Sequence, residues 1–168
     1  MFFALWPDAH TQAKLGQCAQ AMHRACGGKR MRTANLHITI AFLGQVRIER
    51  INELVAAASG VPQRPFSLRL DKPGFWKHNR IAWLGAQVVP DELAAMVGNL
   101  RTALRVASFP FDEKAFVPHV TVARNAHAPM AWPALEPVVW QVIGSVLVSS
   151  ERDEAGVAYR IAAGPFGA

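Results

Sequence analysis

The strongest constraint in this chain is a pattern that occurs twice. Asn35-Leu36-His37-Ile38-Thr39-Ile40-Ala41-Phe42-Leu43-Gly44 alternates strictly after Leu36, the mark of a half-buried β-strand. Successive side chains on a strand point to opposite faces. Leu36, Ile38, Ile40 and Phe42 therefore share a face bound for a core, while His37, Thr39 and Ala41 share the open one. Val117-Pro118-His119-Val120-Thr121-Val122-Ala123-Arg124 repeats His-x-Thr-x-Ala with β-branched residues between. With six His in the chain and few Thr, chance placement yields on the order of 0.2 such pairs. Internal repetition of this kind organises a fold.

The surroundings of the two motifs repeat as well. A first strand over 2–6 is followed by a long helix and the His37 strand. A strand over 81–85 is followed by another long helix and the His119 strand. The pattern predicts one α+β domain spanning 1–168, mainly antiparallel, with His-x-Thr-x at 37–40 and 119–122. It would be bilobal, with two lobes related by an approximate twofold, helices outside and a shared central cleft. A chain of 168 residues is long enough for that core.

The remaining elements follow from local signals. Asp8 is a good N-cap for a helix carrying Leu15, Cys18, Met22 and Cys26, and Gly27-Gly28 ends it. Lys29-Arg30-Met31-Arg32 reads as a basic loop and a candidate cationic rim. Ile48, Ile51, Leu54, Val55 and Ala58 predict a second helix closed by Gly60. Phe66–Leu70 alternates as a strand, and Lys72-Pro73-Gly74-Phe75-Trp76 reads as a turn. Pro90-Asp91 opens a third helix through Leu104. Asn125 to Pro137 reads as a long loop and a candidate lid. Val138 to Val148 and Val157 to Ala162 read as a final hairpin, turning at Glu151 to Gly156.

Composition limits the function classes. Half the residues are hydrophobic, so the chain is globular. A formal charge of +6 favours phosphate-bearing partners. Cys18 and Cys26, eight residues apart on one helix, are too far apart for a disulfide, which points to reduced thiols and the cytoplasm. The apolar start, Met1 to Trp6, meets Pro7-Asp8 at once and reads as a strand, not a signal peptide. No run reaches the length of a membrane span.

Two histidines facing across a cleft suit acid–base chemistry, because imidazole titrates near neutrality. In-line displacement at phosphorus asks for a proton acceptor on one side and a donor on the other. Thr39 and Thr121 would hydrogen-bond the non-bridging oxygens. A zinc site needs three or four ligands, and no carboxylate or Cys falls near either motif. No metal and no cofactor are therefore expected. His10, His23, His78 and His127 read as surface residues, and Trp76 as a candidate wall of a base pocket.

These stretches resemble the paired motifs of the two-histidine phosphoesterase superfamily, and more narrowly the bacterial RNA 2′,3′-cyclic phosphodiesterases, also described as 2′-5′ RNA ligases. Phe2-Phe3-Ala4-Leu5 and Gly74 through Gly85 extend the likeness. The resemblance implies a metal-free, monomeric enzyme that opens a 2′,3′-cyclic phosphate on RNA or a nucleotide to a 2′-phosphomonoester. It implies His37 as general acid and His119 as general base, with Arg124 on phosphate. Phe42 holds the equivalent place in the first motif and would stack on a base. Both lie five residues beyond their His, so a bulge or the strand's end must re-aim them. Ligation in the reverse direction and a non-catalytic RNA-binding module are the alternatives.

Overall fold

In the computed structural model, which describes residues 1–153 and 156–167, the strands and helices follow one another in chain order. They are β1 (Phe2–Leu5), α1 (Ala9–Cys26), β2 (Lys29–Arg30), β3 (Ile38–Phe42), α2 (Ile51–Ser59), β4 (Phe66–Leu70), β5 (Lys72–Trp76), β6 (Ile81–Gly85), α3 (Asp91–Val106), β7 (His119–Arg124), β8 (Val138–Val142), β9 (Ser145–Asp153) and β10 (Gly156–Phe166). The fold is α+β, and its strand pairs are antiparallel. Local chemistry explains the helices. The Asp8 carboxylate accepts the Thr11 N–H at 2.7 Å, capping α1, whose Leu15, Cys18, Ala19, Met22 and Cys26 form one buried stripe. Gly27 and Gly28, at φ +61° and +79°, end it.

Among the described residues the main sheet runs β10-β9-β1-β3-β7-β6-β5, with β2 added to β7. The two His strands, β3 and β7, are neighbours, and each has the first strand of its own repeat, β1 or β6, on its other side. Each repeat is a strand, a long helix and a His strand, and each helix crosses over. The first, α1, packs on β6 and β7, while α3 packs on β3. Both repeats thereby share a core that includes Leu5, Leu36, Ile38, Leu84, Leu100 and Val120. A two-stranded sheet, β4 with β8, lies on the same side and meets α1. The other face of the main sheet stays open.

The structure corrects several local readings. Lys72–Trp76 is a strand, not a turn, and pairs along its whole length with β6. Its Pro73 is tolerated because β5 is the sheet's last strand, where one side of the backbone needs no partner. Residues 138–148 are two strands in different sheets. The break falls at Gly144, where any side chain would run into the Phe166 carbonyl. The basic segment after α1 is partly a strand, with Lys29 and Arg30 opposite Arg124 and Ala123. The final hairpin pairs β9 with β10, and residues 154–155 of the expected turn lie outside the described residues. No described helix is long and apolar enough to cross a membrane.

Pairing between β3 and β7 consists of one residue pair, Ile38 with Val120, both 0% exposed. We expect Ile38→Ala to cost about 2–5 kcal/mol of stability. Urea unfolding should show a lower midpoint with an unchanged slope, in one transition. Two resolved transitions would mean that the halves fold separately.

Candidate active site

The junction sets the site. In an antiparallel ladder built on Ile38 opposite Val120, His37 stands across from Thr121 and Thr39 across from His119. All four point to the open face, because their neighbours Ile38, Ile40, Val120 and Val122 are buried. They line one cleft of about 580 Å³ together with Phe2, Asn35, Phe42, Arg124 and Tyr159. The fold therefore brings together all six residues singled out in the sequence.

Phe42 and Arg124 arrive there through matching irregularities. Against β1, Phe3 pairs with Ala41 but Ala4 with Thr39, so Ile40 is an extra residue in β3. Against β6, Ala82 pairs with Ala123 but Trp83 with Thr121, so Val122 is an extra residue in β7. Each bulge lies three residues beyond its His. Two consecutive residues then face the core, Ile40 with Ala41 and Val122 with Ala123. The alternation is reversed, and the next residue emerges into the cleft. Phe42 is 55% exposed.

Both imidazoles are held the same way. The Nδ1 of His37 lies 2.7 Å from the Asn35 carbonyl and the Nδ1 of His119 lies 2.7 Å from the Val117 carbonyl. A carbonyl only accepts, so each Nδ1 carries the proton and each Nε2 faces the chemistry. The Thr39 hydroxyl donates to the His37 Nε2 at 3.0 Å. Asn35 is itself buried and donates its side-chain N–H to the Val157 carbonyl at 2.8 Å, fixing the carbonyl that orients His37.

Burial dominates the electrostatics. It pushes His37 down to about 4, with the neighbouring His119 and Arg124 adding to the fall against the hydrogen bond to Asn35. Burial lowers His119 too, and Arg124 adds to it. Both rings are neutral at pH 7 in the free protein. No carboxylate lines this cleft among the described residues, and none of their His, Cys, Asp and Glu side chains form a group of three or more fit to hold a metal ion.

The sequence reading missed the aromatic surroundings of His37. Phe2 stacks on the His37 ring at 4.9 Å and Trp6 at 5.4 Å, with Tyr159 edge-on at 5.1 Å. Trp76 meets the His119 ring edge-on at 4.5 Å. The alternation Phe2-Ala4-Trp6 was a signal, but only strand pairing reveals that it abuts His37. A second cavity of about 360 Å³ adjoins His119, lined by Thr39, Phe42, Trp76, His78, Arg101 and Lys114 among others.

The candidate lid is corrected. No residue of 125–137 lines either cavity. Its Ala126 and His127 N–H groups bond the Arg80 and Cys26 carbonyls at 2.9 Å, and Trp132 and Leu135 pack on the core. Of the basic segment, only Met31 lines the cleft.

Stability should record the neutral histidines. His37 titrates near 4 when folded and near its ordinary 6.5 when unfolded. The unfolded chain therefore binds more protons between those values, and stability falls as pH drops from 6.5 to 4. The loss from this residue reaches about 3 kcal/mol. In denaturant titrations over that range, His37→Gln should lose less stability than wild type. Parallel curves would contradict a buried neutral ring.

Known proteins share this fold. A family model described as LigT like Phosphoesterase matches residues 5–83. The RNA 2′,3′-cyclic phosphodiesterase of Escherichia coli is 36% identical over 134 residues, covering 79% of this chain and 76% of that protein. The protein of that name from Thermotoga maritima is 34% identical over 121 residues, covering 68% and 63%. The crystal structure of E. coli LigT complexed with 3′-AMP superposes with a TM-score of 0.84 at 28% identity, covering 95% of this chain and 92% of that one. At 36% identity to the E. coli protein over 79% of this chain, the chain belongs to the LigT-like phosphoesterase family.

Proposed function

We propose that this protein is a metal-independent RNA 2′,3′-cyclic phosphodiesterase that opens the cyclic ester to a 2′-phosphomonoester. The observation carrying this reading is the pair of imidazoles whose Nδ1 atoms are tied to carbonyls 2.7 Å away, which turns both Nε2 atoms to one cleft. The curated relatives bear the name of this activity. Buried free thiols at Cys18 and Cys26 support a reducing, cytoplasmic setting.

In this mechanism a water attacks phosphorus and gives its proton to the His119 Nε2. The P–O3′ bond breaks on the opposite side, and the 3′ oxygen takes a proton from the His37 Nε2. Thr39, Thr121 and Arg124 hold the non-bridging oxygens, where charge builds in the transition state. Phe42 offers a face to the base. The free site lacks the proton that His37 must deliver. A phosphodiester monoanion supplies the missing negative charge, raising the proton affinity of both rings and letting one be charged. The substrate thus completes the acid–base pair.

A substrate with sulfur at the 3′ bridging position tests the division of labour, because a thiolate leaves without protonation. In chelator-treated buffer, wild type should hydrolyse the oxygen substrate fully. His37→Ala should be inactive on oxygen but largely restored on sulfur, and His119→Ala inactive on both. Rescue of the His119 variant alone would reverse the roles, and equal rescue of both would end the assignment. Activity lost to chelation and regained with zinc would move the reaction to a metal.

The second cavity favours one further reading. It lies beside His119, on the nucleophile's side, and its volume of about 360 Å³ far exceeds the roughly 30 Å³ share of a water. An RNA 5′-hydroxyl entering there would form a 2′-5′ linkage by the same proton transfers. Adding a 5′-hydroxyl oligonucleotide should yield some 2′-5′-linked product, with Trp76→Ala lowering its ratio to hydrolysis. Hydrolysis alone at saturating acceptor would leave the cavity to water.

A further inference from the structure

We propose that Phe2 and Trp6 are positioning residues that clamp the His37 ring between their faces and sustain its positive charge in the substrate complex. The inference rests on the acid role for His37 argued above. Phe2 and Ala4 of β1 and Trp6, one residue beyond its end, alternate along the chain and pack in one cluster on the same face of the sheet. Ala4, 0% exposed, is the small residue between two large rings. β1 pairs with β3 through Leu5 opposite Ile38, and that register continues to Trp6 beside His37. The imidazole lies nearly parallel to both rings, at 26° to Phe2 and 10° to Trp6. Tyr159 closes the side, edge-on to His37 at 84°.

Aromatic faces are the negative part of the ring quadrupole, and a cation within about 6 Å of a centroid is attracted to them. Both centroid distances, 4.9 and 5.4 Å, fall inside that range. His119 differs, since Trp76 approaches it at 75° and no stacked partner is found for it among the described residues. The two imidazoles share backbone anchors but not ring environments. The ring stacked on both faces is the better place for the imidazolium, which matches the acid.

Other charged and titratable groups face His37 too. His119 and Arg124 of β7 oppose its charge, the Tyr159 phenol comes from β10, and the Met1 amino group is turned onto the Gly44 carbonyl. Of these, Tyr159 also meets the Trp6 ring edge-on at 6.5 Å, and a change at Trp6 alone leaves the charge of every one of them in place. Removing the indole face while keeping apolar bulk should isolate the clamp.

The test compares Trp6→Leu and Trp6→Phe with wild type, titrating His37 and His119 by NMR in the presence of inorganic phosphate. In Trp6→Leu the His37 midpoint should fall by about 0.5–1 pH unit, as loss of one cation–π contact predicts. Trp6→Phe should restore most of it, and the His119 midpoint should not move. Above neutrality, turnover of the oxygen-bridged substrate should drop about 3- to 10-fold in Trp6→Leu, with the 3′-sulfur substrate unaffected. An unmoved His37 midpoint, or equal losses on both substrates, would reduce Trp6 to packing. If wild type hydrolyses neither substrate, the functional reading falls while the titration still decides the clamp.

Discussion

The cleft depends on a sheet that is nearly severed. β3 and β7 meet through Ile38 and Val120 alone. Full pairing would give a continuous twisted surface with no recess. Separation into independent sheets would leave the motifs without a common register. One buried antiparallel pair does neither. It sets each His opposite the other motif's Thr, while the strands diverge and their open faces become walls. Crossed helix packing holds this junction closed, because α1 leans on β6 and β7 and α3 on β3.

Two bulges complete what the junction begins. At Ile40 and Val122 an extra residue reverses the alternation. Residues that a regular strand would bury, Phe42 and Arg124, instead line the cleft. An aromatic face and a cation thus join the histidines from equivalent positions. The electrostatics of the cleft follow from what it excludes. With no carboxylate among its described lining residues, it holds two neutral imidazoles and a guanidinium. Such a site is short of one negative charge, which a phosphodiester carries.

Much of this was legible in the residues. The doubled His-x-Thr pattern marked the candidate site because a strand's period of two keeps His and Thr on one face whatever they pack against. Asp8, Gly27 and the stripe Leu15–Cys26 placed α1 because capping and helical periodicity are local. Lys72–Trp76 was misread because Pro73 and Gly74 are turn formers by propensity. Only its place at the edge of the sheet makes it a strand. Residues 138–148 were misread because Gly144 yields to a distant carbonyl, that of Phe166.

The sequence by itself determined which candidate side chains share the open face of two equivalent strands, since that rests on short-range periodicity. Tertiary structure alone decided the rest. Which strands become neighbours, where a bulge re-aims a side chain, and that Phe2, Trp6 and Tyr159 enclose His37 while Trp76 meets His119 all depend on contacts between residues far apart in the chain. The depressed proton affinity of the two histidines belongs to the same class, because it arises from the water that folding removes.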